Sequence, residues 1–248
     1  MNLKEFFEEN KKVALGFSGG VDSAYLLYAA IKYGADIKAY YVKSAFQPEF
    51  ELEDAKRLAK KLDANMEILD VDVFENPDIV KNSSQRCYYC KKKIFSTIKN
   101  KALADGYSIL LDGTNASDEY DDRPGMKAKD ELKVLSPLRM AGLTKTEIRK
   151  LSKEAGLETW DKPSYSCLAT RVLTDTPITE DKLYATENAE EFMKNLGFND
   201  FRVRNVNGQA KIQVRLDQMP LVLEKKEEIL KKFKTYYKEV VLDLEDRK

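Results

Sequence analysis

Histidine is missing altogether from these 248 residues, and cysteine is nearly so, with only Cys87, Cys90 and Cys167. A structural zinc site made of four Cys or His ligands therefore cannot be assembled without borrowing a carboxylate, a water or another subunit. Three cysteines, an odd and small number, also argue against a disulfide framework and leave metal binding, catalysis or inert burial. There is no excess of either charge, because Lys plus Arg and Asp plus Glu both number 42. The bulk charge thus does not ask for nucleic acid, whose phosphates reward a basic surface. No run approaches the ~18 consecutive apolar residues of a membrane span, and the opening MNLKEFFEENKK lacks the apolar core of a signal peptide, so a cytoplasmic protein without a membrane partner is expected. Internal repeats and low-complexity tracts are absent as well.

What is present is alternation. The apolar run KKVALGF (11–17) reads as a strand, SGGVDS (18–23) as a tight loop, and AYLLYAAIKYG as a helix stopped by Gly34. Strand IKAYYV, helix EFELEDAKRLAKKLD, strand MEILDVDV, a loop through Asn76 and Pro77, helix YYCKKKIFSTIKNKALADG and strand YSILLDG follow in turn. Such a sequence predicts an α/β fold with a parallel sheet covered on both faces. After Gly113 the polar stretch 114–133 reads as a loop, and LTKTEIRKLSKEAGL as a helix with Thr144 and Glu147 forming a capping box and Gly156 ending it. The segment WDKPSYSCLATRVLTDTPIT, with prolines at 163 and 177, reads as a working linker. Beyond it a helix, the strand pair FRVRNV and AKIQVRL joined through NGQ, another helix and strand EVVLDL predict a small α+β domain. The expected division is 1–165 and 166–248.

The loop after the first strand carries the first chemical signal. Backbone N–H groups at a helix start bind anions, and Gly19 and Gly20 allow close approach of a phosphate, with Ser18 and Ser23 as added donors. Asp22 would repel phosphate unless a divalent cation lies between them, which points to Mg2+ and a phosphate chain together. A plain strand-to-helix turn would need glycine, but not two serines and an aspartate. The pattern is neither a Walker A loop nor a dinucleotide fingerprint. It resembles the pyrophosphate loop of the PP-loop ATP pyrophosphatases, which implies a Rossmann-like adenine nucleotide alpha hydrolase sheet and ATP as substrate.

The second signal is RCYYC. Cys87 and Cys90 stand among Arg86, Lys91, Lys92 and Lys93, a setting that favours thiolates or an anionic cluster. A dithiol couple, a [4Fe–4S] cluster on three thiolates with one open iron, and unrelated reduced cysteines all satisfy the count. A redox pair leaves Cys167 without a task.

The segments YYVKSAF, RCYYCKKKIF, DGTNASDEYDDRPG, SPLRMAGLTKTEIRKLSKEAGL, WDKPSYSCLATR and FRVR, in this order across most of the chain, resemble the LarE family of ATP-dependent sulfur transferases in nickel-pincer cofactor assembly. The resemblance implies a pyridinium mononucleotide whose carboxylate is adenylated and converted to a thiocarboxylate. One branch of that family sacrifices the sulfur of a single cysteine, the position of Cys167. Another holds a [4Fe–4S] cluster on three cysteines, and the added Cys87 and Cys90 match that branch. Ser18, Gly19, Gly20, Asp22 and Ser23 would then hold ATP and Mg2+, with Gly113 and Thr114 beside the nucleotide. Arg202 and Arg204, alternating with Phe201 and Val203, would take the substrate phosphate, with Arg171 and Glu119 as further substrate contacts. A homo-oligomer is expected, and the residues name no sulfur donor. The rival expectations are a tRNA-thiolating enzyme, an amidotransferase-type ATP pyrophosphatase with structural cysteines, and a non-catalytic ATP- or metal-binding regulator.

Overall fold

The computed structural model describes residues 1–118 and 124–247; Glu119 lies outside the described residues. Its elements in chain order are α1 (Leu3–Glu9), β1 (Lys12–Gly16), α2 (Val21–Lys32), β2 (Asp36–Lys43), α3 (Glu49–Lys61), β3 (Asn65–Asp70), α4 (Pro77–Val80), α5 (Arg86–Ala104), β4 (Leu110–Leu111) and α6 (Pro124–Glu131). Then come α7 (Pro137–Met140), α8 (Lys145–Glu154), α9 (Glu180–Asn195), β5 (Arg202–Val206), β6 (Gln209–Gln213), α10 (Met219–Glu224), α11 (Lys226–Phe233) and β7 (Glu239–Leu242).

The chain divides into two units, 1–75 with 85–164, and 76–84 with 165–248. In the first, four strands lie in the order β3-β2-β1-β4, all parallel, as the strand and helix alternation predicts. From β1 the chain winds outward through β2 to β3, then returns to place β4 on the other side of β1. The crevice at the carboxyl ends of β1 and β4 is therefore the switch point at which open α/β sheets receive ligands. Val13, Leu15, Leu26, Leu27, Ala30, Ala39, Leu111 and Ile148 form the core under that crevice.

The second unit has a three-stranded sheet, β5-β6-β7, with β5 and β6 antiparallel and β7 parallel to β6. Asn207 and Gly208 turn the hairpin with φ of 52° and 83°, the left-handed pair that a two-residue hairpin requires. Ala189 and Met193 of α9 and Ile229 and Phe233 of α11 pack on Val203, Ala210 and Ile212.

Four sequence expectations need correction. The polar stretch 114–133 contains a helix, α6, because Met126 and Ala128 bury an apolar face and Pro124 suits a first helical position. Asn76–Pro77 opens a helical turn, in which the Asn76 side chain accepts from Asp78 N at 3.0 Å. The segment 219–233 is two helices that meet at Lys225, not one. Finally, the boundary at 165/166 leaves out Asn76–Ser84, which belongs to the second unit. The asparagine at 82 explains why: fully buried, its Nδ2 donates to Leu173 O at 2.7 Å and Thr176 O at 3.0 Å.

Candidate active site

β1 ends at Gly16, and the chain turns through Phe17–Gly20 into the first turn of α2. The turn needs glycine at 19, where φ is +71° and an added Cβ would come within 3.1 Å of Ala55 Cβ and 3.2 Å of its Cα. The serines hold the loop's shape: Ser18 N–H donates to Ser23 Oγ at 3.3 Å, the Ser23 hydroxyl donates to Gly20 O at 3.2 Å, and the two hydroxyl oxygens are 3.1 Å apart. Gly20 is the helix N-cap and supplies no side-chain acceptor, so the opening N–H groups of α2 remain for a ligand.

Asp22 stands in that first turn. Its Oδ2 accepts from Lys145 Nζ at 2.6 Å, while its Oδ1 is buried with no donor among the described residues. Burial pushes its carboxyl above the ordinary carboxylate range, against the opposing pull of Lys145. An orphaned carboxylate oxygen at the mouth of an anion loop fits a hard divalent cation such as Mg2+, which takes oxygen ligands.

Gly113 leaves β4 directly against this turn: a Cβ there would sit 2.9 Å from Ser23 N and 3.2 Å from Ser23 Cα. Thr114 is engaged by its own chain. Its hydroxyl donates to Asp112 Oδ2 at 2.6 Å and accepts from Lys129 Nζ, and its carbonyl accepts from Arg139 N at 3.2 Å. Asp112 also accepts from Ser136 Oγ at 2.6 Å and pairs with Lys129 Nζ at 2.5 Å, with both side chains buried. This network fixes the exit of β4 beside the loop.

Cys87 and Cys90 lie at the start of α5, three residues apart and hence on one helix face, with Cys87 exposed and Cys90 half-buried. Lys91, beside them, lies against Gly125 of α6, where a Cβ would meet its Cδ at 2.6 Å. Burial first, then the charge of Lys129, pulls Lys91 below the usual lysine value, with Asp112 and Cys87 opposing. Cys167 belongs to the second unit, half-buried just ahead of a short 3-10 turn, Leu168–Arg171. Among the described residues no group of three or more His, Cys, Asp or Glu side chains forms a ready metal site. Thiolates are soft donors of the kind that iron–sulfur clusters take, and Cys87 and Cys90 present two of them on one helix face.

In the second unit Arg202 and Arg204 point away from the core face of β5, yet Arg202 is only 7% exposed and so does not lie on a solvated strand face. Burial, then the charges of Arg171 and Arg247, pull Arg202 down to about 10. Arg204 Nη1 donates to Thr170 O at 3.0 Å and its Nε to Gln213 Oε1 at 2.5 Å. Arg171 is buried, its Nε and Nη2 donating to the Glu190 carboxylate at 2.7 and 3.1 Å.

Sequence reasoning missed Lys145, the Asp112–Lys129 pair, the half-burial of Lys91, and Glu190. Only Glu190 left a signal, since it falls on the α9 face with Thr186, Ala189 and Met193, where a carboxylate demands a partner.

A parallel sheet whose first strand runs into SGGVDS at the switch point defines a PP-loop ATP pyrophosphatase, and residues 12–93 match the family model described as "Queuosine biosynthesis protein QueC". The chain is 34% identical over 82% of its length to the pyridinium-3,5-bisthiocarboxylic acid mononucleotide synthase of Lactiplantibacillus plantarum, covering 75% of that protein. It is also 34% identical to the uncharacterized protein MJ0830 of Methanocaldococcus jannaschii over 98% of its length and 93% of that protein's. The tRNA-specific 2-thiouridylase MnmA of Thermotoga maritima is 29% identical over 59% of the chain and 52% of its own. The chain belongs to the LarE family. It is an ATP-dependent sulfurtransferase. No helix among the described residues is long and apolar enough to cross a membrane.

Proposed function

We propose that this enzyme inserts sulfur into a carboxylate of a pyridinium mononucleotide, the substrate class of its Lactiplantibacillus relative. A carboxylate is a poor electrophile, so it first attacks the α-phosphorus of ATP; the α–β P–O bond breaks and pyrophosphate leaves. A sulfur nucleophile then adds to the acyl carbon of the adenylate, AMP leaves, and a thiocarboxylate remains.

The observation that carries the first step is the Asp22 carboxylate at the glycine loop, with one oxygen on Lys145 and the other without a donor among the described residues. Gly19, Gly20 and the first-turn N–H groups of α2 receive the phosphates, and Ser18 and Ser23 hold the loop and lend hydroxyls. Asp22 would hold Mg2+, which when bound offsets phosphate charge. Lys145 is then released to meet a phosphate oxygen. Gly113 lines the nucleotide side, and Thr114 stiffens it through Asp112. In the second unit Arg202 and Arg204 receive the substrate phosphate, a role supported by the two guanidiniums alternating on one strand beside Arg171. Glu119 remains a substrate contact by resemblance alone.

Cys87, Cys90 and Cys167 would hold a [4Fe–4S] cluster, which supplies a reloadable sulfide when bound. The experiment is anaerobic turnover with ATP and the pyridinium biscarboxylate mononucleotide, following pyrophosphate and thiocarboxylate. Several products per chain are expected, with Cys87→Ala keeping ATP binding but losing iron and repeated turnover. Stoichiometric dehydroalanine at Cys167 after turnover would sink the cluster route in favour of a sacrificial one. The likeness to MnmA supports a second reading, tRNA thiolation; it requires tRNA binding that weakens steeply with salt.

A further inference from the structure

We infer that Glu190 is a positioning residue for the Cys167 sulfur: one buried carboxylate clamps the loop that carries the cysteine on both of its sides and ties it to the arginine strand. The inference rests on the reading of Cys167 as the sulfur-handling residue of the second unit.

Glu190 is 5% exposed and accepts four hydrogen bonds. Two come from Arg171, four residues after Cys167. One comes from the Tyr165 hydroxyl, two residues before it, at 2.6 Å to Oε2. The fourth comes from Val203 N–H at 2.9 Å to Oε1, between Arg202 and Arg204 on β5. The loop is drawn closed from within as well: Arg171 Nη1 donates to Ser166 O at 3.0 Å and Thr170 Oγ1 at 2.7 Å, and Thr170 Oγ1 in turn donates to Cys167 O at 2.8 Å. The Arg171 guanidinium also lies over the Tyr165 ring, 4.6 Å from its centroid.

A lone buried carboxylate is costly unless every lone pair is used, and here all its partners belong to the cysteine loop or to the arginine strand. The consequence is a fixed spacing between Cys167 and the candidate phosphate site. A substrate anchored by its phosphate meets sulfur only if that spacing matches the distance from phosphate to carboxylate in the mononucleotide. Arg171, read from the sequence as a substrate contact, has in this arrangement its own task of joining loop to Glu190. Loosening the clamp leaves adenylation in the other unit intact and misplaces the sulfur.

The test uses the full-length chain with Glu190→Gln and the milder Tyr165→Phe, which removes a single hydrogen bond. Site-resolved alkylation by iodoacetamide, read by peptide mass, is expected to speed up about tenfold at Cys167 while Cys87 in the other unit keeps its wild-type rate. In turnover, pyrophosphate released per thiocarboxylate formed is expected to rise about tenfold, at unchanged KM for ATP. A general loss of folded protein would lower both products together and leave their ratio alone. Cys167 reactivity unchanged in both variants, faster alkylation at Cys87 as well, or a wild-type product ratio would overturn the inference. Failure of the wild-type chain to make any thiocarboxylate would overturn the functional reading instead, and the alkylation rates would still decide the clamp.

Discussion

Asp22 is held where a carboxylate is uncomfortable, and the discomfort has a sign. Because burial raises its folded-state value above 3.8, the folded chain binds a proton more readily than the unfolded one. The resulting penalty is absent at low pH, grows as pH rises through that window, and is fully present at neutral pH. Asp22→Asn is therefore expected to keep or raise the thermal midpoint at pH 7 while abolishing pyrophosphate release, the usual opposition of stability and function at a site. Calorimetry beside a pyrophosphate assay checks both halves. Arg202 is the cationic counterpart. Its folded value of about 10 lies below the ordinary 12.5, so its penalty is fully present below pH 10 and eases only as pH rises beyond it. An anion should relieve that penalty: inorganic phosphate at ten times its dissociation constant should add about 1.4 kcal/mol, seen as a higher midpoint that Arg202→Gln no longer shows. The cysteines, glycines and Asp22 were legible in the sequence because each is chemically rare at its place. Lys145 was not, because its partner lies 123 residues away and a lysine in a helix start looks like surface.

Among the elements, α8 shows how a local rule serves a distant site. The Thr144 side chain caps Glu147 N–H while the Glu147 carboxylate returns to Thr144 N at 2.8 Å, as the sequence predicts. That box fixes the direction in which Lys145, the next residue, leaves for Asp22. Thr144→Ala is expected to cost about 1 kcal/mol in chemical denaturation and to raise the KM for ATP more than it lowers kcat, because Lys145 is less well placed. α6 shows the reverse. Its local sequence is polar and turn-rich, and it becomes a helix only because Met126 and Ala128 find a core and Lys129 finds Asp112. α5 begins at Arg86, two residues earlier than its apolar pattern announces, so Cys87 joins Cys90 inside the helix instead of standing just ahead of it.

At the scale of the whole molecule the chain is interleaved: nine residues, 76–84, leave the first unit, serve the second, and return. Asn82 is their anchor. It is fully buried with φ of 58°, which asparagine tolerates better than other side chains, and it donates to carbonyls at 173 and 176 while its own carbonyl accepts from Asp175 N at 2.9 Å. Asn82→Ala removes both donated bonds, leaving Leu173 O with only the Thr176 N–H, and puts alanine at a positive φ, so it is expected to cost about 2–4 kcal/mol. Urea unfolding followed by Trp160 fluorescence, which reports the first unit, and by helix ellipticity, which reports both, should show the second unit, which holds no tryptophan, losing midpoint first. The sequence by itself determined the alternation of strands and helices, the phosphate loop and the capping box of α8, because each depends on residues within one turn or one strand of each other. It determined the number of thiols, and that count excludes a site of four Cys or His ligands from this chain alone. Only the tertiary structure decided that one Asp22 oxygen has no donor among the described residues, that Lys129 and Asp112 pair in the interior, and that Glu190 grips the Cys167 loop. These depend on burial and on partners distant in sequence, where the cost of an unpaired charge, not local propensity, selects the arrangement.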